Sequence, residues 1–172
     1  MQKYVIIIIW LSLLLLLPLQ AQDADDARTL RFFHTHTGKS LEVTYFRDGL
    51  YLLEPMEELR EFLADWRNGE QKEIDPRLMD ILWQILQVTG HSGTFEVISA
   101  YRSPGTNRFL RNKSKGVAQN SQHVLGKAID VRLRGMDTRK LHDVALELKL
   151  GGVGYYGKSD FVHVDTGRVR RW

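Results

Sequence analysis

The chain has no cysteine among its 172 residues. Disulfides are therefore excluded, and so is the thiol on which a lipoprotein anchor is built. Charge of one sign is missing too, since 24 Lys and Arg face 21 Asp and Glu. The basic tail Arg168-Val169-Arg170-Arg171-Trp172 reads as a solvated terminus rather than a patch for an anionic polymer. Neither internal repeats nor low-complexity tracts occur. Long apolar runs are scarce: one stretches from Val5 to Leu17, broken only by Ser12. Lys3 precedes it, and Leu19-Gln20-Ala21 follows with a small residue at −1 and Leu at −3. Positive, apolar, small is the order of an export signal. The run is shorter than the ~20 residues of a spanning helix, so cleavage after Ala21 is favoured over a retained anchor. The expected division is a signal peptide over 1–21 and one domain over 22–172. Losing Lys3 with the leader lowers the basic count from 24 to 23 against 21 acids. The mature net charge of about +2 is too mild to argue for nucleic acid. Export without disulfides fits a periplasmic or cell-envelope location, with no stable membrane anchor after cleavage.

What the chain does have is material for a core: 43% hydrophobic residues and four Trp, enough for a single domain of this length. Thr29 to His36 and Leu41 to Phe46 alternate as a hairpin around Thr37-Gly38-Lys39. His34 and His36 share a face there. H-x-H could hold a metal, but with no third ligand beside it a polar outer face is the simpler reading. Pro55 to Arg67 is a predicted helix, with Met56, Leu59, Phe62, Leu63 and Trp66 as its apolar stripe. Asp75-Pro76 opens a second, broadly apolar helix that runs to about Val88, with Gly90 beyond. His91 reads as a loop residue. Phe95 to Tyr101 is a predicted strand, ending at Arg102-Ser103-Pro104 and a short helix. Asp137 or Thr138 caps a fourth helix to about Lys149, with Leu141, Val144, Ala145 and Leu148 inward and His142 off that stripe, hence exposed. Val153 to Tyr156 is a further strand.

Two stretches carry chemistry: SQHVLGKAID, from Ser121 to Asp130, and DFVHVDTG, from Asp160 to Gly167. In Ala128 to Leu133, Ile129, Val131 and Leu133 share one face, and Asp130 and Arg132 the other. In Phe161 to Asp165, Val162 and Val164 oppose His163 and Asp165. If both strands lie in one sheet, Asp130 and His163 emerge together opposite the core. His123 precedes them in a loop that Gly126 frees to turn. Neutral imidazoles and a carboxylate suit Zn²⁺, and three protein ligands leave a fourth position for water, as in catalytic sites.

The pattern S-x-H-x-x-G-x-A-x-D followed by D/E-x-x-H resembles the M15-class zinc D,D-peptidases, a group of D-Ala-D-Ala peptidases and phage endolysins. The longer run from about Val97 to Trp172 is closest to its MepK-type murein endopeptidase branch. The ten-residue motif is specific, whereas D-x-x-H alone is weak. The resemblance implies Zn²⁺ on His123, Asp130 and His163, with Arg102 reaching a substrate carbonyl or carboxylate. It places the acid–base at Asp160, three residues before the last ligand. Strand parity complicates this, because three residues back is the opposite face unless Asp160 lies in the turn. Asp165 has the right parity and reads as fixing a ligand imidazole or Arg102, or as the alternative base. The expected fold is α+β: an antiparallel β-sheet with helices packed on one side and the zinc site on the opposite face. The expected activity is cleavage of peptide cross-links in peptidoglycan, with stem peptides as the partner of a monomeric enzyme that carries no wall-binding repeat. The rivals are a D,D-carboxypeptidase that trims stem peptides, a non-catalytic peptidoglycan-binding module and a metal-stabilised structural protein.

Overall fold

In the computed structural model, which describes residues 26–114 and 116–172, period-two patterning builds the sheet. Along β1 (Arg28–His34), Leu30, Phe32 and His34 are buried while Arg31 is exposed. β2 (Ser40–Arg47) pairs with it antiparallel, and β3 (Leu50–Tyr51) extends the meander. β4 (Phe95–Ser99), β5 (Ala128–Leu133), β6 (Gly152–Tyr156), β7 (Phe161–Asp165) and β8 (Arg170–Arg171) complete one sheet. Its order is β3-β2-β1-β4-β5-β7-β6-β8. The purely antiparallel sheet expected from the sequence is corrected at two places, since β4 runs parallel to β1 and β8 parallel to β6. Two helices intervene between β1 and β4, which gives the chain the length a parallel return needs. The signal peptide expected at 1–21 lies outside the described residues. Among the described residues, no helix is long and apolar enough to cross a membrane.

Four helices accompany the sheet. α2 (Pro76–Thr89) starts where Asp75 accepts from the Arg77 amide and ends at Gly90, whose φ of 63° is left-handed. Leu78, Met79, Leu82 and Ile85 on it are fully buried, each contributing roughly 1.5–3 kcal/mol of transfer free energy. α2 packs on β1 and on α4 (Thr138–Leu148), which in turn packs on β5, β6 and β7. α1 (Leu53–Phe62) packs on β2. It ends five residues before the expected Arg67, so Trp66 leaves the apolar stripe. Trp66 is 37% exposed and stacks on His36 instead of joining the core. α3 (Pro104–Lys113) is capped by Ser103 and contributes Leu110 to the cavity wall described below.

Two histidines differ from expectation. His34 is buried, because it continues the Leu30–Phe32 row and meets the Phe62 ring edge-on. His142 is buried as well, because β6 covers that flank of α4 and Tyr155 lies 5.3 Å from its ring. The ladder that places the site is β5 against β7, in which Asp130 stands opposite His163. Ile129, Val131, Val162 and Val164 alternate with them and join the core, so Asp130 and His163 project to the other face.

Candidate active site

His123 arrives on a short 3-10 turn, Gln122–Leu125, in which the Ser121 side chain accepts from the His123 amide. Gly126 closes that turn at φ 68°, and a Cβ there would lie 2.1 Å from the Glu73 carbonyl oxygen. Only glycine satisfies both the left-handed backbone and the close approach. The turn brings His123 Nε2 to 3.1 Å from His163 Nδ1 and 3.2 Å from Asp130 Oδ1. His163 Nδ1 is 2.9 Å from the same Asp130 oxygen. All three residues are buried, and their donor atoms form a cluster that could hold a metal ion.

The remaining ring nitrogens explain why a cation fits. His123 Nδ1 is 2.7 Å from the Ala100 carbonyl oxygen and donates to it. His163 Nε2 donates to Asp165 Oδ2 at 2.8 Å. In the neutral rings, the two nitrogens that face each other therefore carry lone pairs, beside a carboxylate oxygen. Burial disfavours charge at His123 and lowers its pKa against the pull of Asp130. Burial opposes charge at His163 as well, but hydrogen bonds to Asp130 and Asp165 outweigh it and raise the pKa.

Asp165 is fully buried. Its Oδ1 accepts from the amides of Gly152 and Gly167, and both oxygens accept from Arg170, at 2.9 and 2.6 Å. Burial resists this charge, but His163, Arg170 and the Gly167 amide hold the carboxyl well below the usual range. It is an anion that orients the His163 ring. Arg102 follows β4, with its side chain 11% exposed and Nη2 3.5 Å from Asp130 Oδ2. Burial lowers its pKa against the opposing field of Asp130. Arg102, Arg170 and the three clustered residues line a cavity of about 360 Å³.

Residues 22–172 match the M15 peptidase family described as peptidoglycan L,D-endopeptidase MepK. The chain belongs to this family. It is 39% identical to the peptidoglycan L,D-endopeptidase MepK of Escherichia coli (strain K12) over 145 residues, which span 84% of this chain and 80% of that protein. The protein of the same name from Shigella flexneri matches equally. The probable peptidoglycan L,D-endopeptidase MepK of Haemophilus influenzae is 38% identical over 146 residues, 84% of this chain and 78% of its own length. No solved structure matches.

Around the MepK-type centre, the other residues sort by location. Asp160 sits in the turn before β7 at φ 53°. Its carboxylate is exposed, accepts from the Thr138 hydroxyl and lies 3.5 Å from Arg132 Nη1. It does not line the cavity. The tail read as solvated instead builds a wall. Arg170 clamps Asp165, and the Trp172 ring lies 5.1 Å from that of His163. The signal was the two-residue spacing of Arg170 and Trp172, which a strand turns to one side. His36 and Arg67 also reach the cavity, a placement sequence periodicity could not show because both lie in turns.

Proposed function

We propose that this chain is a zinc-dependent endopeptidase that hydrolyses peptide cross-links in peptidoglycan at the cell envelope, acting as a monomer on stem peptides. The observation that carries this reading is the convergence of His123 Nε2, Asp130 Oδ1 and His163 Nδ1 within 3.2 Å on a cavity wall. Two imidazoles and one carboxylate are a fitting donor set for Zn²⁺ with an open position. A zinc ion held there supplies Lewis acidity and lowers the pKa of water to roughly 7. The names of the relatives point to the L,D bond as the one cut.

The chain's own residues do the rest. Asp165 keeps the His163 ring fixed and its lone pair aimed inward. Arg102 presents a planar, permanently charged fork to the substrate carbonyl and stabilises charge as it develops there. The family position three residues before His163 supports Asp160 as the carboxylate we propose for proton transfer, although here it is held by Thr138 and Arg132. Its neighbour Arg132 is two residues along β5 from Asp130, about 7 Å. The role requires the Asp160 side chain to leave Thr138 and Arg132.

Mass spectrometry of digested sacculi tests the proposal. The expected products are released cross-linked partners, formed with zinc and lost with chelator. Stems shortened by one residue would show a carboxypeptidase instead, and binding without turnover would show a recognition module.

A further inference from the structure

The cavity has a second cationic wall, contributed by the turn after α1. Arg67 lines it beside His36. The guanidinium carbon of Arg67 lies 4.1 Å from the centre of the Trp66 ring, and Trp66 stacks on His36 with centroids 4.0 Å apart. The head group is thus propped on an aromatic, and among the described residues no carboxylate lies within ion-pair distance of it, although the field of buried Asp65 favours its charge against burial. A buried carboxylate sets this arrangement up. Asp65 is fully buried and accepts from the Arg67 amide at 3.2 Å and from the Ser103 amide at 2.9 Å. Asn68 Nδ2 donates to Ser103 Oγ at 2.9 Å. One clasp therefore ties the turn bearing Arg67 to the corner bearing Arg102.

The consequence is an excess of positive charge facing one space. Arg102 Nε is buried without a partner, and Asp130, the carboxylate beside it, belongs to the metal cluster. Arg170 also lines the cavity but is occupied by Asp165. The Arg67 guanidinium, facing the cavity without an ion-pair partner among the described residues, suits a planar anion, which it holds through paired, charge-assisted hydrogen bonds. We propose that Arg67 forms a subsite for a free carboxylate of the peptide substrate, beside the carbonyl that Arg102 meets, and is the specificity-determining residue. The proposal rests on the peptidase reading above. Stem-peptide carboxylates come from chain ends and from side chains, and the chemistry of recognition is the same for both.

The test uses the zinc-loaded protein and a synthetic cross-linked peptide dimer. One form has free carboxylates. Two others are amidated singly, at the chain end or at the side chain nearest the scissile bond. Wild type is expected to favour the free acid over one of the amides by roughly 10–100-fold in kcat/KM, the worth of a charge-assisted hydrogen bond. The amide that suffers identifies the carboxylate. Arg67→Gln should lose that preference, mainly through a raised KM on the free acid. Arg67→Lys should recover only part of it. An equal loss of Arg67→Gln on acid and amide, or no preference in wild type, overturns the subsite. If wild type cleaves none of the dimers, the peptidase reading fails separately. Calorimetry with acid and amide product peptides still decides the subsite: a preference for acid that Arg67→Gln abolishes supports it, and equal binding overturns it.

Discussion

Asp165 has no lone pair left for a substrate, because His163, Arg170, Gly152 and Gly167 use them all. Asp165→Asn should therefore weaken zinc binding by roughly 10–100-fold through loss of ring orientation. Competition against a chromophoric chelator measures this, and unchanged affinity would show that the ring needs no anchor. Asp160→Ala should retain zinc and lose turnover by roughly 10²–10⁴-fold. A loss under about tenfold would leave Asp160 only its bonds to the Thr138 hydroxyl and Arg132. His34 gives a pH prediction. Burial, reinforced by nearby His36, lowers its pKa from 6.5 to about 4. Above pH 6.5 the ring is neutral whether the chain is folded or unfolded. Between 6.5 and 4 the unfolded chain takes up the proton first, so stability falls with acid by up to ~1.4 kcal/mol per pH unit. Denaturation midpoints at pH 7 and 4.5 should fall further for wild type than for His34→Phe, and equal falls would refute the assignment. The burial of His34 was missed, although it continues the Leu30–Phe32 row. That of His142 was missed too, since a helix flank does not announce which strand will cover it.

Among the elements, the strands that carry Asp130 and His163 were readable because alternation fixes both face and register once the two are paired. α2 was readable end to end, from the Asp75 cap to Gly90. Its entry does a second job: the Asp75 amide donates to the Gly126 carbonyl at 2.9 Å, and Asp75 Oδ2 accepts from the Thr166 hydroxyl at 2.8 Å. The start of the most buried helix is thereby fastened to the turn behind His123 and to the chain leaving β7. Gly126→Ala should break this joint, since its Cβ would meet the Glu73 carbonyl. The expected result is lower thermal stability together with weakened zinc binding. An intact metal site with ordinary stability would mean the 3-10 turn tolerates the shift. The end of α1 escaped sequence reading, because Leu63 and Trp66 keep helical spacing after the helix has stopped.

For the molecule as a whole, the mixed α/β character and the central antiparallel strands followed from pattern. The two parallel pairings did not, because they join segments whose contact depends on how intervening helices pack. The metal cluster likewise joins distant parts of the chain: the turn after α3, β5 and β7. A metal ion held by these three residues would bind the folded arrangement and not the open chain. Saturation at 100 times the dissociation constant should add ~2.7 kcal/mol of stability. Calorimetric melting with and without chelator measures it, and identical melting temperatures would show that the three segments hold their places without the ion.

Asp130 and His163 sit on a single rung of the β5–β7 ladder. Their separation is therefore set by the pleat of the sheet rather than by adjustable side-chain reach. Such a rung cannot spread to admit an ion that wants six to eight oxygens at 2.3–2.6 Å, as calcium does. Nor does a pair of imidazoles offer magnesium the oxygen octahedron it requires. The backbone spacing is thus expected to act as an ion filter. Millimolar calcium or magnesium at a cell surface would leave the site to the softer, tetrahedral competitor.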